Sequence, residues 1–202
     1  MIIATDRPVK ISTMSGKLEG LQAINTNTLS NDFCGAMRTT DSICAKCYSA
    51  AMLSGSRKNC VPAFEHNSEV LSAPITERQI PVINARHFRF HGHGELINKQ
   101  HLENFYLIAE ANPQTTFTLW TKRQALVRMA RQRPANLILI YSNPRIDRIM
   151  ERPPKAFDKV FNNVPKGYDG AANCTGQKCI ECLACYTHGG IDVIVEHTKI
   201  RH

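Results

Sequence analysis

Eight cysteines carry the chemistry of this sequence. They fall in two knots separated by more than a hundred residues without one: Cys34, Cys44, Cys47 and Cys60, then Cys174, Cys179, Cys182 and Cys185. Clustering of this kind serves a shared ligand, whereas a disulfide scaffold spreads its cysteines through a small secreted chain. Two cysteines with two residues between them bring their thiolates to one metal or cluster with little strain. The second knot reads Cys174-x4-Cys179-x2-Cys182-x2-Cys185, four thiols within twelve residues, with Gly167, Gly170 and Gly176 freeing the backbone around it. Zinc more often draws on two C-x2-C knuckles from separate turns, while the irons of a 4Fe-4S cluster sit further apart and let closely spaced cysteines each reach a different corner. A cluster is the favoured ligand and zinc the alternative. The first knot, Cys34-x9-Cys44-x2-Cys47-Tyr48, offers three thiols and would leave one iron of a cubane open to chemistry or to a substrate. Cys60, thirteen residues beyond Cys47, either fills that position or is a free, partly buried thiol. One cluster drawn from both knots, or two clusters, fits the count.

Other polar residues stand near the same chemistry. His91 and His93 flank Gly92, and in an extended chain they point to one side with Glu95 beyond. Such a group binds metal or moves protons, because histidine titrates near neutrality. Arg89 is the candidate cation at the mouth of the site, or else a partner for Glu95. Lys122 completes the candidate catalytic set, and Tyr48 and Asn143 are the candidates for holding a cofactor.

The elements that must position these residues alternate between strand-like and helix-like patterns. Strands are expected at 21–24, 87–91, 116–122, 137–141, from 159 and at 191–195, and helices at 49–53, 95–111, 124–133 and 146–150. Repeated βα units with buried strands imply a parallel sheet, either a small or partial (β/α) TIM-like barrel or an open sheet. His91, Lys122, Ser142 with Asn143, Asn162 with Asn163, and His197 all fall at C-terminal strand ends, the face on which βα proteins place their sites. Both knots belong on that rim as loop insertions, at about residues 30–60 and 165–190 of one α/β domain spanning 1–202.

Composition bounds the rest. The 202 residues are 43% apolar, and 25 Lys+Arg against 17 Asp+Glu give a net charge of +8. No apolar run approaches the roughly 20 residues of a membrane span, and the N-terminus is too polar for an export signal. A reducing cytoplasm is the expected compartment. The basic stretch Lys122-Arg123, Arg128, Arg131 and Arg133 invites a nucleic-acid reading, with Arg128 and Arg131 on one helical face. Against it stand an aromatic content of 7% and the lack of any recognised RNA or DNA motif.

The combination of Cys34-x9-Cys44-x2-Cys47-Tyr48, Arg89-Phe90-His91-Gly92-His93-Gly94-Glu95, Thr121-Lys122 and the four-cysteine knot resembles the bacteriophage gene product eighty-eight family over roughly residues 20–200. Its members look like compact relatives of radical S-adenosylmethionine barrels. Glu95 stands where the family block carries Asp, and nine residues stand where the common C-x3-C-x2-C radical signature has three. The resemblance implies a phage-encoded iron-sulfur protein in the host cytoplasm, with redox or radical chemistry on an unidentified substrate. A host electron donor and S-adenosylmethionine would be its associates. The rival expectation is a zinc-stabilised module that binds nucleic acid or a host protein without catalysis.

Overall fold

The computed structural model describes residues 7–146 and 148–198. The N-terminal stretch read above for an export signal begins outside them. Seven strands form one sheet in the order in which they occur in the chain. They are β1 (Ser12–Thr13), β2 (Gln22–Ile24), β3 (His87–Phe90), β4 (Thr116–Thr121), β5 (Leu137–Ser142), β6 (Lys159–Val164) and β7 (Val193–His197). β1 pairs antiparallel with β2, and every later pair is parallel. Among the described residues β1 and β7 do not pair with each other, so the sheet is open and the closed form of the expected barrel is not what forms.

Among the described residues six α-helices lie between the strands: α1 (Asp32–Arg38), α2 (Tyr48–Ser54), α3 (Val61–Ser72), α4 (Lys99–Ala111), α5 (Gln124–Met129) and α6 (Cys179–Cys182). A parallel sheet in sequence order with right-handed crossovers returns each helix over the same face. The core obeys this rule. Phe88 and Phe90, Phe117 and Leu119, and Leu137 and Leu139 pack in one cluster with Leu71 of α3, Phe105 and Ile108 of α4, and Leu126 of α5. Phe90 stacks on Phe105 at 4.0 Å and on Phe117 at 4.9 Å. Alternation along the strands sends His87, Arg89, Thr118 and Trp120 to the opposite face. The cysteine-bearing loop between β6 and β7 covers that face, with Tyr186 placed 5.8 Å from Trp120 and 5.9 Å from His87.

Several boundaries differ from those read in the sequence. The helix expected from residue 95 starts at Lys99, because the Asn98 side chain accepts the His101 N–H and Glu95 is committed to the rim. The basic helix ends at Met129 rather than at residue 133, and Arg131 then turns to Glu103 and Glu110. Described residues in the 146–150 segment form no helix, since Arg148 and Met150 bond to the side chains of Asn143 and Asn162. The last strand lies two residues later, at Val193–His197, and α3 is an additional helix with Pro62 in its first turn. No helix among the described residues is long and apolar enough to cross a membrane.

Truncation of the aromatic stack should be costly. Phe90→Ala is expected to lower stability by about 3–5 kcal/mol through lost burial and the cavity left behind. Urea unfolding checks this, and a loss under about 1 kcal/mol would mean that the stack is not the centre of the core.

Candidate functional site

The first knot is built on the rim after β2. Cys34 lies in the first turn of α1, whose N-cap Asn31 accepts the Cys34 N–H at 3.2 Å and donates through its amide to the Glu95 carbonyl at 3.0 Å. Cys44 sits on a single 3-10 turn, where the Ser42 hydroxyl accepts its N–H at 3.2 Å and the preceding Ile43 N–H donates to the Pro144 carbonyl at 2.8 Å. Cys47 is the N-cap of α2. The loops after β2, β3 and β5 therefore meet at this knot.

Glu95 organises the centre of it. The carboxylate is buried and accepts the Thr121 hydroxyl at 2.6 Å, the Lys122 N–H at 2.9 Å and the N–H of Leu96 at 2.8 Å. Lys122 extends its ammonium to the Ser142 hydroxyl at 3.0 Å. Burial pushes Cys34 up to about 12, reinforced by Glu95 and the two neighbouring thiols, while Lys122 pulls the other way. Burial also raises Cys44, and Lys122 again opposes the shift. For Lys122 itself, burial favours the neutral amine, but Cys44, Glu95 and Cys34 outweigh it and hold the proton on. Three thiols, one carboxylate and one ammonium thus share a neighbourhood. Thiols held protonated in this way bind a metal by releasing protons as its charge arrives.

The second knot wraps the other face of the sheet. Cys174 bridges to Glu196 beside β7, and its N–H donates to the Val195 carbonyl at 3.0 Å. Cys179 and Cys182 begin and end α6, and Leu183 then adopts a left-handed conformation, φ 52°, that turns the chain back to Cys185. All four cysteines line one cavity with Lys17 and Tyr186. Lys17 donates to the Cys174 sulfur at 2.8 Å and to Glu196 at 2.5 Å, which raises its pKa although burial opposes this. Burial pushes Cys185 up to about 12 against the pull of Arg89. Cys182 is exposed and the other three are half-buried.

Among the described residues no group of three or more His, Cys, Asp or Glu side chains converges closely enough to hold a metal ion. Cys60 stands apart at the start of α3, where its thiol donates to Asn59 at 3.8 Å.

The remaining candidates separate. His91 and His93 do not share a side, because His91 takes a positive φ of 64° that turns its ring into the core, 5.0 Å from His101 and 5.1 Å from Phe105. His93 bonds to the Ser49 hydroxyl at 2.8 Å and packs on Phe64 and Tyr48. Gly94 is required between them and Thr26: at φ 98° a Cβ would lie 2.7 Å from the Thr26 carbonyl oxygen. The Tyr48 phenol, largely exposed, donates to the Gly92 carbonyl at 2.6 Å. Asn143 spends its amide on Asn162 and the Arg148 carbonyl, so it braces the rim between β5 and β6. Most of the basic stretch is committed internally, Arg123 to the Leu96 and Ile97 carbonyls, Arg131 to Glu103 and Glu110 and Arg133 to Asp158, while Arg128 is exposed and donates to Gln124. Lys17 gave no signal in the sequence, because 157 residues separate it from Cys174.

The sequence profile of the family described as Gene product 88 matches residues 13–178. The chain belongs to the Gene product 88 family. The Gene product 88 match takes in the first knot, the His91–Glu95 block, Lys122 and Cys174, and it ends before Cys179, Cys182 and Cys185. No curated protein and no solved structure matches the chain.

The buried histidines set a pH dependence for this family member. Burial holds His93 down to about 4, His101 down to about 3 and His91 well below its ordinary value. Below about 6.5 the unfolded chain takes up protons that the folded chain refuses, so stability is lost as pH falls through 6.5 toward 5. Each histidine contributes up to about 1.4 kcal/mol per pH unit in that window. Urea unfolding at several pH values should show this slope, and His101→Gln should flatten it. Stability that does not change between pH 7 and pH 5 would show that these rings are not held neutral.

Proposed function

We propose that the chain holds an iron-sulfur cluster at each cysteine knot and serves one-electron redox or radical chemistry. The observation that carries this reading is the pairing of each thiol group with its own inward-turned cation: Lys122 beside Cys34 and Cys44, Lys17 on Cys174. A thiolate-ligated cluster is net negative, and a buried negative site needs neighbouring positive charge and hydrogen bonds. Nucleic-acid binding, by contrast, would use outward cations, and most of the basic stretch is paired within the fold.

The residues suit a cluster better than a single ion. Zinc draws four ligands to within about 2.3 Å of one centre. A cubane takes each thiolate at a different iron and asks for less convergence. Cys174, Cys179, Cys182 and Cys185 supply a complete set around one cavity. Cys34, Cys44 and Cys47 supply three, leaving one iron position for an outside ligand. A bound cluster would supply a one-electron centre and, at the first knot, an open coordination site.

The chain's own groups have definable parts in this scheme. Lys17 donates directly to the Cys174 sulfur, and Glu95 fixes the Lys122 backbone while Ser142 receives its ammonium. Tyr48 stands beside Cys47 with its ring exposed, at the place an incoming ligand would meet. The sequential winding of β2–β7, open at its edges, supports reading the fold as a partial barrel with the first knot on its rim and the second over one face. S-adenosylmethionine as the outside ligand and a phage setting extend this reading from the family resemblance.

Anaerobic reconstitution with ferrous iron and sulfide tests it. The only tryptophan, Trp120, lies 5.8 Å from Tyr186, the residue after Cys185, so loading of the second knot should quench its fluorescence as visible absorption grows. Replacing Cys34, Cys44 and Cys47 together by Ala should leave that quenching and remove about half of the iron. Replacing the second set should abolish the quenching. Uptake of zinc with no sulfide and no visible colour would overturn the proposal.

A further inference from the structure

Both knots end in the same short pattern, Cys44-x2-Cys47-Tyr48 and Cys182-x2-Cys185-Tyr186. The two tyrosines come from loops 138 positions apart in the chain, 186 − 48, yet both border the surroundings of Arg89: Tyr186 lies 5.8 Å from Trp120, the ring under the guanidinium, and the Tyr48 hydroxyl donates to the Gly92 carbonyl, next to the His91 carbonyl that Arg89 bonds. Arg89 projects from β3 onto the face away from α4. Its guanidinium lies 3.7 Å above the Trp120 ring centre, and its Nε donates to the His91 carbonyl at 3.0 Å. Its charge acts on Tyr186, Tyr48 and Cys179, and on Cys185 as well. Tyr48 is fixed to the same backbone segment through the Gly92 carbonyl. Among the described residues Arg89 forms no ion pair with a carboxylate. A half-buried guanidinium without a carboxylate carries a desolvation cost that nearby negative charge must offset. The candidates on this face are the two cysteine sites.

Resting on the cluster reading above, we propose that Arg89, stacked on Trp120, is the positioning residue that couples the two cysteine sites: one fixed cation whose field reaches both, directly at Cys179 and Cys185 and across Tyr48 at the first knot. Lys17 and Lys122 then act as private counter-charges, one for each site. The division is visible in their neighbours, since Lys17 meets Cys174 and Glu196 whereas Lys122 meets Cys44, Cys34 and Glu95.

A redox titration of the reconstituted full chain, read by electron paramagnetic resonance under dithionite, tests the coupling. The two signals are assigned with the variants that empty one knot at a time. A cation stabilises the reduced, more negative state, so Arg89→Gln should move both midpoint potentials to more negative values. The larger effect is expected at the second site, at least tenfold in the reduction equilibrium, which is 59 mV for a one-electron couple. Lys17→Met should move only the second potential, and Lys122→Met only the first. Arg89→Lys, which keeps the charge and loses the flat stack, should keep both potentials near those of the native chain while changing Trp120 emission. If Arg89→Gln does not fold, the variant with Cys34, Cys44 and Cys47 replaced by Ala and Arg89 intact decides: the second potential should rise, because a coupled negative neighbour is gone. Two titrating clusters, with the first unmoved by Arg89→Gln or the second unmoved by emptying the first knot, would overturn the coupling and leave the cluster reading standing. A chain that takes up no iron and sulfide overturns the cluster reading and this inference together.

Discussion

Six parallel strands laid down in sequence order favour one side for their crossovers. The returns that carry α3, α4 and α5 pass over the same face, so these helices bury one side of the sheet around Phe90, Phe105 and Phe117. The other side must be covered by something else, and here it is the loop between β6 and β7 that carries the second cysteine knot. The same winding puts the C-terminal ends of β2–β7 on one rim. Every chemistry-bearing group reaches that rim or the face beneath it because of this constraint.

Charge then decides what the rim can hold. Glu95 and Lys122 sit together at the first knot, and Lys17 bridges Cys174 to Glu196 at the second. Groups of this kind are expensive to bury alone and become favourable in combination. Burial holds the Cys34 and Cys185 thiols protonated, so each would release its proton on binding a metal. Arg89 lies between the two sets, held flat on Trp120 by a cation–π contact.

Local patterns in the sequence carried much of this. The cysteine spacings, the buried run Leu137–Ser142 and the glycines around His93 each act through neighbours close in the chain. Strand ends were also legible, and with them the place of the first knot after β2, whereas the second knot, expected on the same rim, lies over the face of the sheet. What could not be read depends on long-range packing. The positive φ of His91 separates it from His93, and nothing in the alternation of residues 87–93 foretells that reversal. Lys17 meets Cys174 and Glu196 although its loop joins β1 to β2 at the edge of the sheet opposite β7, a contact across the fold that no local pattern announces. Asn143 looked available for a cofactor until Asn162, nineteen positions on, claimed its amide. The repeated Cys-x2-Cys-Tyr was present in the sequence, but only the fold shows Tyr186 beside the Trp120 on which Arg89 stacks and Tyr48 bonded to Gly92, next to the carbonyl that Arg89 holds.

Two separate cluster sites on one sheet are tested most directly by the iron and acid-labile sulfide content of the full chain, purified without oxygen. About eight irons and about eight sulfides per chain are expected, one cubane at each knot. Zinc in place of iron, with no sulfide, would contradict it.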